Sequence, residues 1–292
     1  MRFCAFTRLS PAILLAAAGA ARAQCYGQQL IAGDPQAVGH NGEAVAMDGD
    51  YVLLGCPDKN TPQGNSAGEV YAYSTFGTQW GQVTHFFPSD PHANDDFGAS
   101  VAMGGQQQWC IVGAPGQASN AGAAYIFRRD TSTNLWNQLP KLATGSSAGD
   151  WLGASVGMNK AGTIAVVGVP YSDVTDIFGT TVEAGKALVY VRSGNTWSYQ
   201  ANLHQTDASV RATGDHLGTG VACDGNRVVT GVPDGDAPGL SNCGYISIWT
   251  PDINNYWTAT GQIFSPTPGP GASPSGTPVT TRFPSHATPV PK

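Results

Sequence analysis

Charge is scarce in this sequence: Asp, Glu, Lys and Arg make up 12% of its 292 residues, and its 14 Lys and Arg never gather into a run. A net charge of −6 without a basic stretch argues against a nucleic-acid or anionic-membrane binder, because both need a concentrated cationic face to displace counterions. Past the N-terminus there is no apolar run long enough to span a membrane. There is no Cys-x-x-Cys, and no His sits at zinc spacing from a cysteine pair, so a structural zinc site is not indicated. A Gly-x-Ser-x-Gly elbow, a phosphate-cradling loop and a His-Glu-x-x-His pair are all missing, which removes the commonest hydrolase, nucleotide-binding and metalloprotease signatures. What remains is a chain with 38 glycines, far above the usual ~7%, that is still 41% hydrophobic, with 7 Trp, 10 Tyr and 10 Phe. It can bury a core, and its turns must be many.

Residues 1–23 read as a secretory signal: Arg2 and Arg8 open it, an apolar stretch follows over 12–21, and Ala21-Arg22-Ala23 places small residues where a signal peptidase cuts. Cleavage after Ala23 makes the mature protein secreted, with no membrane span. Of six cysteines, Cys4 leaves with the signal, and Cys25, Cys56, Cys110, Cys223 and Cys243 remain. An exported compartment permits disulfides, so bridges are expected, at most two within a chain with one thiol left over. Residues 265–292 hold eight prolines among Gly, Ser and Thr and are expected to be a disordered tail.

One unit occurs four times. It begins with a Gly ahead of small and apolar residues, at Gly42, Gly98, Gly153 and Gly218, spaced by 56, 55 and 65 residues. An apolar run then ends in Gly-x-Pro: Gly55-Cys56-Pro57, Gly113-Ala114-Pro115, Gly168-Val169-Pro170 and Gly231-Val232-Pro233. Proline cannot donate to a ladder, so each run is a strand that stops there. A Gly opening an alternating strand follows (Gly68, Gly122, Gly185, Gly244), and then a tryptophan leading into a fourth strand (Trp80, Trp136, Trp197, Trp257). A repeated four-stranded antiparallel unit of this size is a β-propeller blade, so the fold class is all-β. The expected blades are 35–90, 91–147, 148–210 and 211–264 within a domain 24–264. Residues 24–34 resemble a fourth strand and are expected to pair into the last blade and close the ring.

Phe97-Gly98 with Gly113-Ala114-Pro115 spells the name-giving residues of the FG-GAP repeat, and the other copies are similar to it. Taken together, the units resemble the integrin alpha-like propeller repeats in their bacterial subtype. The resemblance implies extracellular ligand binding or adhesion, with calcium in some members. Such calcium sites need hairpin loops dense in Asp and Asn. The turns here, among them Gly104-Gly105-Gln106 and Asn159-Lys160-Ala161-Gly162, are short, and those two hold no carboxylate. No cofactor is therefore carried over. The acidic pairs Asp234/Asp236 and Asp173/Asp176 are the weak calcium candidates. Family rings usually have seven blades, so four leaves the chain a monomer or a ring-completing dimer.

Asp95, Asp150 and Asp215 stand two residues before the Phe/Leu-Gly step and would recur on one rim, either lining a polar mouth or bonding their own loop backbone. His40 and His216 follow that place in the first and fourth copies, where a base or metal pair is conceivable. Glu69 and Glu183 sit beside the third-strand Gly, a structural location. No catalytic residue is assigned. The reading is a secreted, non-catalytic module whose rim loops bind an extracellular protein or glycan; the alternative is an extracellular hydrolase or lyase on the same scaffold. Exposed aromatics on the rim would favour the first, and a deep acidic pocket the second.

Overall fold

The computed structural model describes residues 28–34, 39–142, 145–177, 179–206, 211–236 and 242–264. The expected signal segment and the Pro-rich residues 265–292 lie outside these, as does Cys25. The described chain is four antiparallel four-stranded meanders. The first sheet is β1 (Ala44–Asp48), β2 (Tyr51–Cys56), β3 (Glu69–Phe76) and β4 (Gln79–Phe86). The second is β5 (Ser100–Gly104), β6 (Trp109–Ala114), β7 (Ala123–Arg129) and β8 (Trp136–Gln138). The third comprises β9 (Val156–Met158) and β10 (Ile164–Val169), then, after a small hairpin of β11 (Val174–Asp176) and β12 (Gly179–Thr181), β13 (Lys186–Ser193) and β14 (Thr196–Leu203). The fourth is β15 (Val221–Cys223), β16 (Val228–Val232), β17 (Tyr245–Pro251) and β18 (Trp257–Phe264). Three sheets carry a register shift at the same place, after Ala72, Val189 and Ile248, where the fourth strand bulges and its twist increases.

Alternation at period two gives every sheet two apolar faces, so each must be covered by another layer. The forward face of the first sheet, Leu53, Val70, Ala72 and Phe86, packs on the rear face of the second through Val101, Met103, Val112 and Tyr125. Ile111, Ala124, Ile126 and Leu142 repeat this against Val156, Met158, Val167 and Leu188 of the third. Val166, Ala187, Val189 and Leu203 do so against Val228, Tyr245 and Trp249 of the fourth. The backbone joins the same neighbours: Phe97, Leu152 and Leu217 donate their N–H groups to Ala67, Ala121 and Ala184 of the preceding sheet at 3.2, 3.1 and 3.0 Å. Arg129 and Arg192 add a clamp, lying 4.0 Å from the Tyr51 ring and 4.5 Å from the Trp109 ring one sheet back.

The Gly-x-Pro glycines mark where sheets approach most closely. A Cβ on Gly55, Gly113 or Gly168 would stand 2.0, 2.0 or 1.9 Å from the carbonyl oxygen of Gly98, Gly153 or Gly218 in the next sheet. Gly231 has nothing of another sheet beside it; the nearest atom to its Cβ is the Gly220 nitrogen at 3.5 Å, across its own sheet.

Among the described residues no further sheet covers either end of the series. Val45 and Met47 on the rear face of β1 are each 65% exposed, whereas their repeat equivalents Val101 and Met103 are 9% and 8% exposed. On the forward face of the fourth sheet Ile246 and Ile263 are 38% and 39% exposed. Among the described residues no core cluster joins the fourth sheet to the first. The architecture is therefore a β-propeller-like stack of four sheets.

The expected closing strand, residues 24–34, forms no strand over 28–34, and there its hydrogen bonds go to the first sheet. Gln28 exchanges side-chain hydrogen bonds with both backbone groups of Trp80, and Leu30 and Ala32 pack with Leu54, Tyr71 and Tyr73. The cause is a buried cation: the Lys59 ammonium, in a residue 3% exposed, donates to the Asp34 carboxylate at 2.8 Å, and the Tyr71 hydroxyl also donates to it. Residues 89–90 do the same on the second sheet. Ser89 takes a Gln138 side-chain oxygen as Gly33 takes that of Gln82, both at 2.7 Å, and Asp90 binds Lys141 and Tyr125. The segment thus has the place of a fourth strand's exit, one sheet ahead of the first. Residues 24–27 lie outside the described chain.

Candidate functional site

The loops that follow each Gly-x-Pro and the links between sheets emerge on one rim. There each link makes a four-residue turn, in which Glu43, Ala99, Ala154 and Thr219 donate back to the carbonyls of His40, Asp96, Trp151 and His216 at 3.1, 3.0, 3.0 and 3.3 Å. The third turn residue, Gly42, Gly98, Gly153 or Gly218, has φ of +91, +99, +87 or +97°, the place where a type II turn requires glycine. The first turn residue also has positive φ: +42, +55, +58 and +54° at His40, Asp96, Trp151 and His216. Four non-glycine residues in this costly region, at one column of the repeat, present four side chains on the same rim.

Each faces the residue after the Gly-x-Pro proline of its own sheet. His40 bonds to Asp58, and His216 Nδ1 to the Asp234 carboxylate at 2.8 Å. Trp151 stacks on Tyr171 with ring centroids 5.1 Å apart, and Tyr171 meets the His216 ring at 4.7 Å. Trp151 and Tyr171 are 41% and 37% exposed, so the rim carries an aromatic ledge continuous with His216 and Asp234. At the other end of the row Asp96 is raised to about 6, first by its burial and then by the charges of Asp58 and Glu43. His40, Glu43 and Asp58 bring one ligand atom each within 4.8 Å of one another, all on exposed or half-exposed side chains, and no ion is assigned to them.

Asp95, Asp150 and Asp215 lie one residue deeper and are nearly buried. Each accepts a backbone N–H three residues back, from His92, Ser147 and Ala212 at 2.7, 2.9 and 2.7 Å. Desolvation raises the Asp95 carboxyl and takes that of Asp215 to about 6. These three fasten the loops that hold the turns, and they do not reach the rim surface.

The acidic calcium candidates do not converge. Asp176 takes the Arg211 guanidinium with both oxygens, Asp173 accepts the Glu183 N–H at 3.0 Å, Asp236 the Asn242 N–H at 2.8 Å, and Asp234 is bonded to His216. Glu69 is buried and bonds to Tyr71 and His85. The expected bridges do not form among the described residues, where Cys56, Cys110, Cys223 and Cys243 are free; Cys25 lies outside them. Packing buries two of the four, and Cys223 and Cys243 are half-buried. Cys56 and Cys110 are fully enclosed in two different apolar clusters, and desolvation pushes the Cys56 thiol up to about 11 and that of Cys223 to about 12.

Sequence reasoning named His40 and His216 but missed Asp58, Asp96, Trp151, Tyr171 and the pairing of Asp234 with His216. The signal was present: both His–Asp pairs are 18 residues apart, and the same column in the other two copies holds Asp96 and Trp151.

No helix of the described residues is long and apolar enough to cross a membrane. A search of curated proteins returned no match. The FG-GAP repeat family matches residues 80–127, from Trp80 in β4 through Phe127 in β7. The chain therefore carries an FG-GAP repeat, built around the Phe97-Gly98 turn and the Gly113-Ala114-Pro115 strand end that locks it to the next sheet.

Proposed function

We propose that the protein is a secreted, non-catalytic binding module of the integrin alpha-like FG-GAP kind, and that its rim takes a saccharide of an extracellular glycan. The observation that carries this is the aromatic ledge. Trp151 and Tyr171 offer ring faces on the solvent side, and a pyranose face is an apolar surface of matching shape. Asp234 and His216 flank them with acceptors and donors for sugar hydroxyls. The site is an open shelf of exposed side chains, which suits capture and not the water-excluding enclosure that glycoside hydrolysis uses.

The test is isothermal titration against a panel of soluble polysaccharides, with Trp151→Ala and Tyr171→Ala beside the parent chain. Either truncation should weaken the bound glycan about tenfold or more, as removal of an aromatic anchor does. Binding unchanged in both variants, or no binding of any polysaccharide in the panel, would sink the saccharide reading. Release of new reducing ends from a bound glycan would move the protein to the hydrolase class.

A further inference from the structure

The opposite rim, formed by the strand hairpins, holds a second feature that the aromatic ledge does not explain. Two adjoining cavities of about 780 and 610 Å³ share Gln108, Arg128 and Asn195, making one groove across the mouth of the stack. Turn residues of all four sheets reach the larger one: Asp48, Gly105, Lys160 and Asp224.

Three cations line the larger cavity, Arg128, Arg192 and Lys160, and Arg129 joins Arg128 in the smaller one. Arg128 and Arg192 lie over the same Trp109 ring, at 5.7 and 4.5 Å. Arg192 donates to the carbonyls of Gly162 and Gly194 at 2.6 and 2.7 Å, and Arg128 to the Asn195 side-chain oxygen at 3.2 Å. Among the described residues none of the three is in an ion pair. The neighbouring carboxylates serve the turns. Asp48 accepts the Gln107 N–H at 2.6 Å, Asp224 those of Asn226 and Arg227 at 2.8 Å, and Asp130 that of Ser132 at 2.8 Å. Arg129, by contrast, is already engaged with Tyr51, Asn134 and the Gln107 carbonyl. Two guanidiniums held side by side with no carboxylate at ion-pair distance repel one another, and Arg192 is lowered by its burial and then by the Arg128 charge. In a chain of net charge −6, this is a local arrangement that a bound anion would relieve.

We propose that this groove binds an acidic polysaccharide, a uronate chain whose carboxylates sit on Arg128, Arg192 and Lys160 while its hydroxyls bond to Gln108, Asn137 and Asn195. A planar carboxylate matches the guanidinium fork, and side-chain amides supply the paired donors and acceptors that sugar hydroxyls need. A single inorganic anion would leave most of the groove unused. A nucleic-acid strand needs exposed ring faces for its bases, and the groove's one tryptophan, Trp109, is 3% exposed beneath the arginines.

The experiment is titration of the full mature chain with oligogalacturonate, neutral dextran oligomers and oligothymidylate at low and physiological salt. Arg128→Gln and Lys160→Gln serve as variants, since both side chains are at the surface and outside the core. Oligogalacturonate should bind, weaken as salt rises, and bind about tenfold more weakly to each variant, while Trp151→Ala leaves it unchanged. No binding of oligogalacturonate, equal binding of dextran or oligothymidylate, or insensitivity to both groove variants would overturn the inference. Loss in Trp151→Ala with none in Arg128→Gln would overturn it too, because it would place the uronate on the aromatic ledge.

Discussion

Gly113→Ala is a substitution whose cost the packing of consecutive sheets determines. The new Cβ would lie 2.0 Å from the Gly153 carbonyl oxygen, about 1 Å inside the closest approach that real Cβ atoms make. The Ser100 hydroxyl, 2.3 Å from the new Cβ, can rotate away, but the Gly153 carbonyl is backbone, so the second and third sheets must separate. That opens a junction in which Ile111, Ala124, Ile126 and Leu152 are fully buried. Overpacking of a filled core costs about 1–3 kcal/mol, and a backbone clash belongs at the upper end, about 3 kcal/mol. For a domain of this size that corresponds to a melting temperature lower by about 6–12 °C. Gly231→Ala is the matched control: same motif, same strand position, and no neighbouring sheet within reach of the added methyl. It should be neutral within about 1 kcal/mol, or slightly stabilising through the loss of unfolded-chain freedom. Urea unfolding of Gly55→Ala, Gly113→Ala, Gly168→Ala and Gly231→Ala decides it. If Gly231→Ala costs as much as the others, a sheet covers the forward face of the fourth, from this chain or a second copy, and the open-ended series is wrong.

Other outcomes follow from the charges and thiols. The Asp96 carboxyl is raised from its ordinary 3.8 to about 6 in the folded state, so its contribution is fully present below about pH 4 and is lost as pH rises through 6. Two pH units would be about 3 kcal/mol, and partial exposure reduces this to about 1 kcal/mol. Asp96→Asn should therefore gain about that much stability on the parent between pH 4 and 7.5; a gain independent of pH would point only to the ease with which Asn takes positive φ. Asp34 has the opposite sign, since the Lys59 bond and then the Tyr71 bond hold its carboxyl below the usual range. Asp34→Ala should cost about 2 kcal/mol at pH 7, because a buried ammonium loses its carboxylate, and the penalty should shrink as pH falls below about 4; an equal penalty at pH 3 and 7 would refute the ion pair. Non-reducing thiol titration in denaturant should find at least four thiols per mature chain, and a count of one would restore the disulfides.

The fold was legible because each repeat punctuates itself. Proline ends the second strand, glycine opens the third, and period-two alternation marks the faces, all local signals. What joins the sheets was less visible. The meaning of Gly113 or Gly168 lies in a carbonyl 40 to 50 residues further on, which spacing alone does not reveal. Residues 28–30 do resemble a fourth strand, but the sheet they meet is decided by the pairing of Asp34 with Lys59, across a sequence gap of 25 residues. The cysteine reading failed on a different ground: counting thiols says nothing about depth, and Cys56 and Cys110 are packing residues of separate clusters. The cationic groove was invisible for the reason that ruled out a basic run. Arg128, Lys160 and Arg192 are far apart in the chain and meet only because three hairpins end at the same mouth.

The unlike ends of the stack also set how the molecule comes apart. With each sheet coupled only to its neighbours, stability behaves as a row of links and not as one indivisible core. Both end sheets leave apolar side chains to water, Val45 and Met47 on the first and Ile246 and Ile263 on the fourth, but only the first is also roofed in part by Leu30 and Ala32 and pinned through Lys59. Fraying should therefore begin at β15–β18 and run backward, making the His216–Asp234 end of the rim the first part to loosen and the His40 end the last.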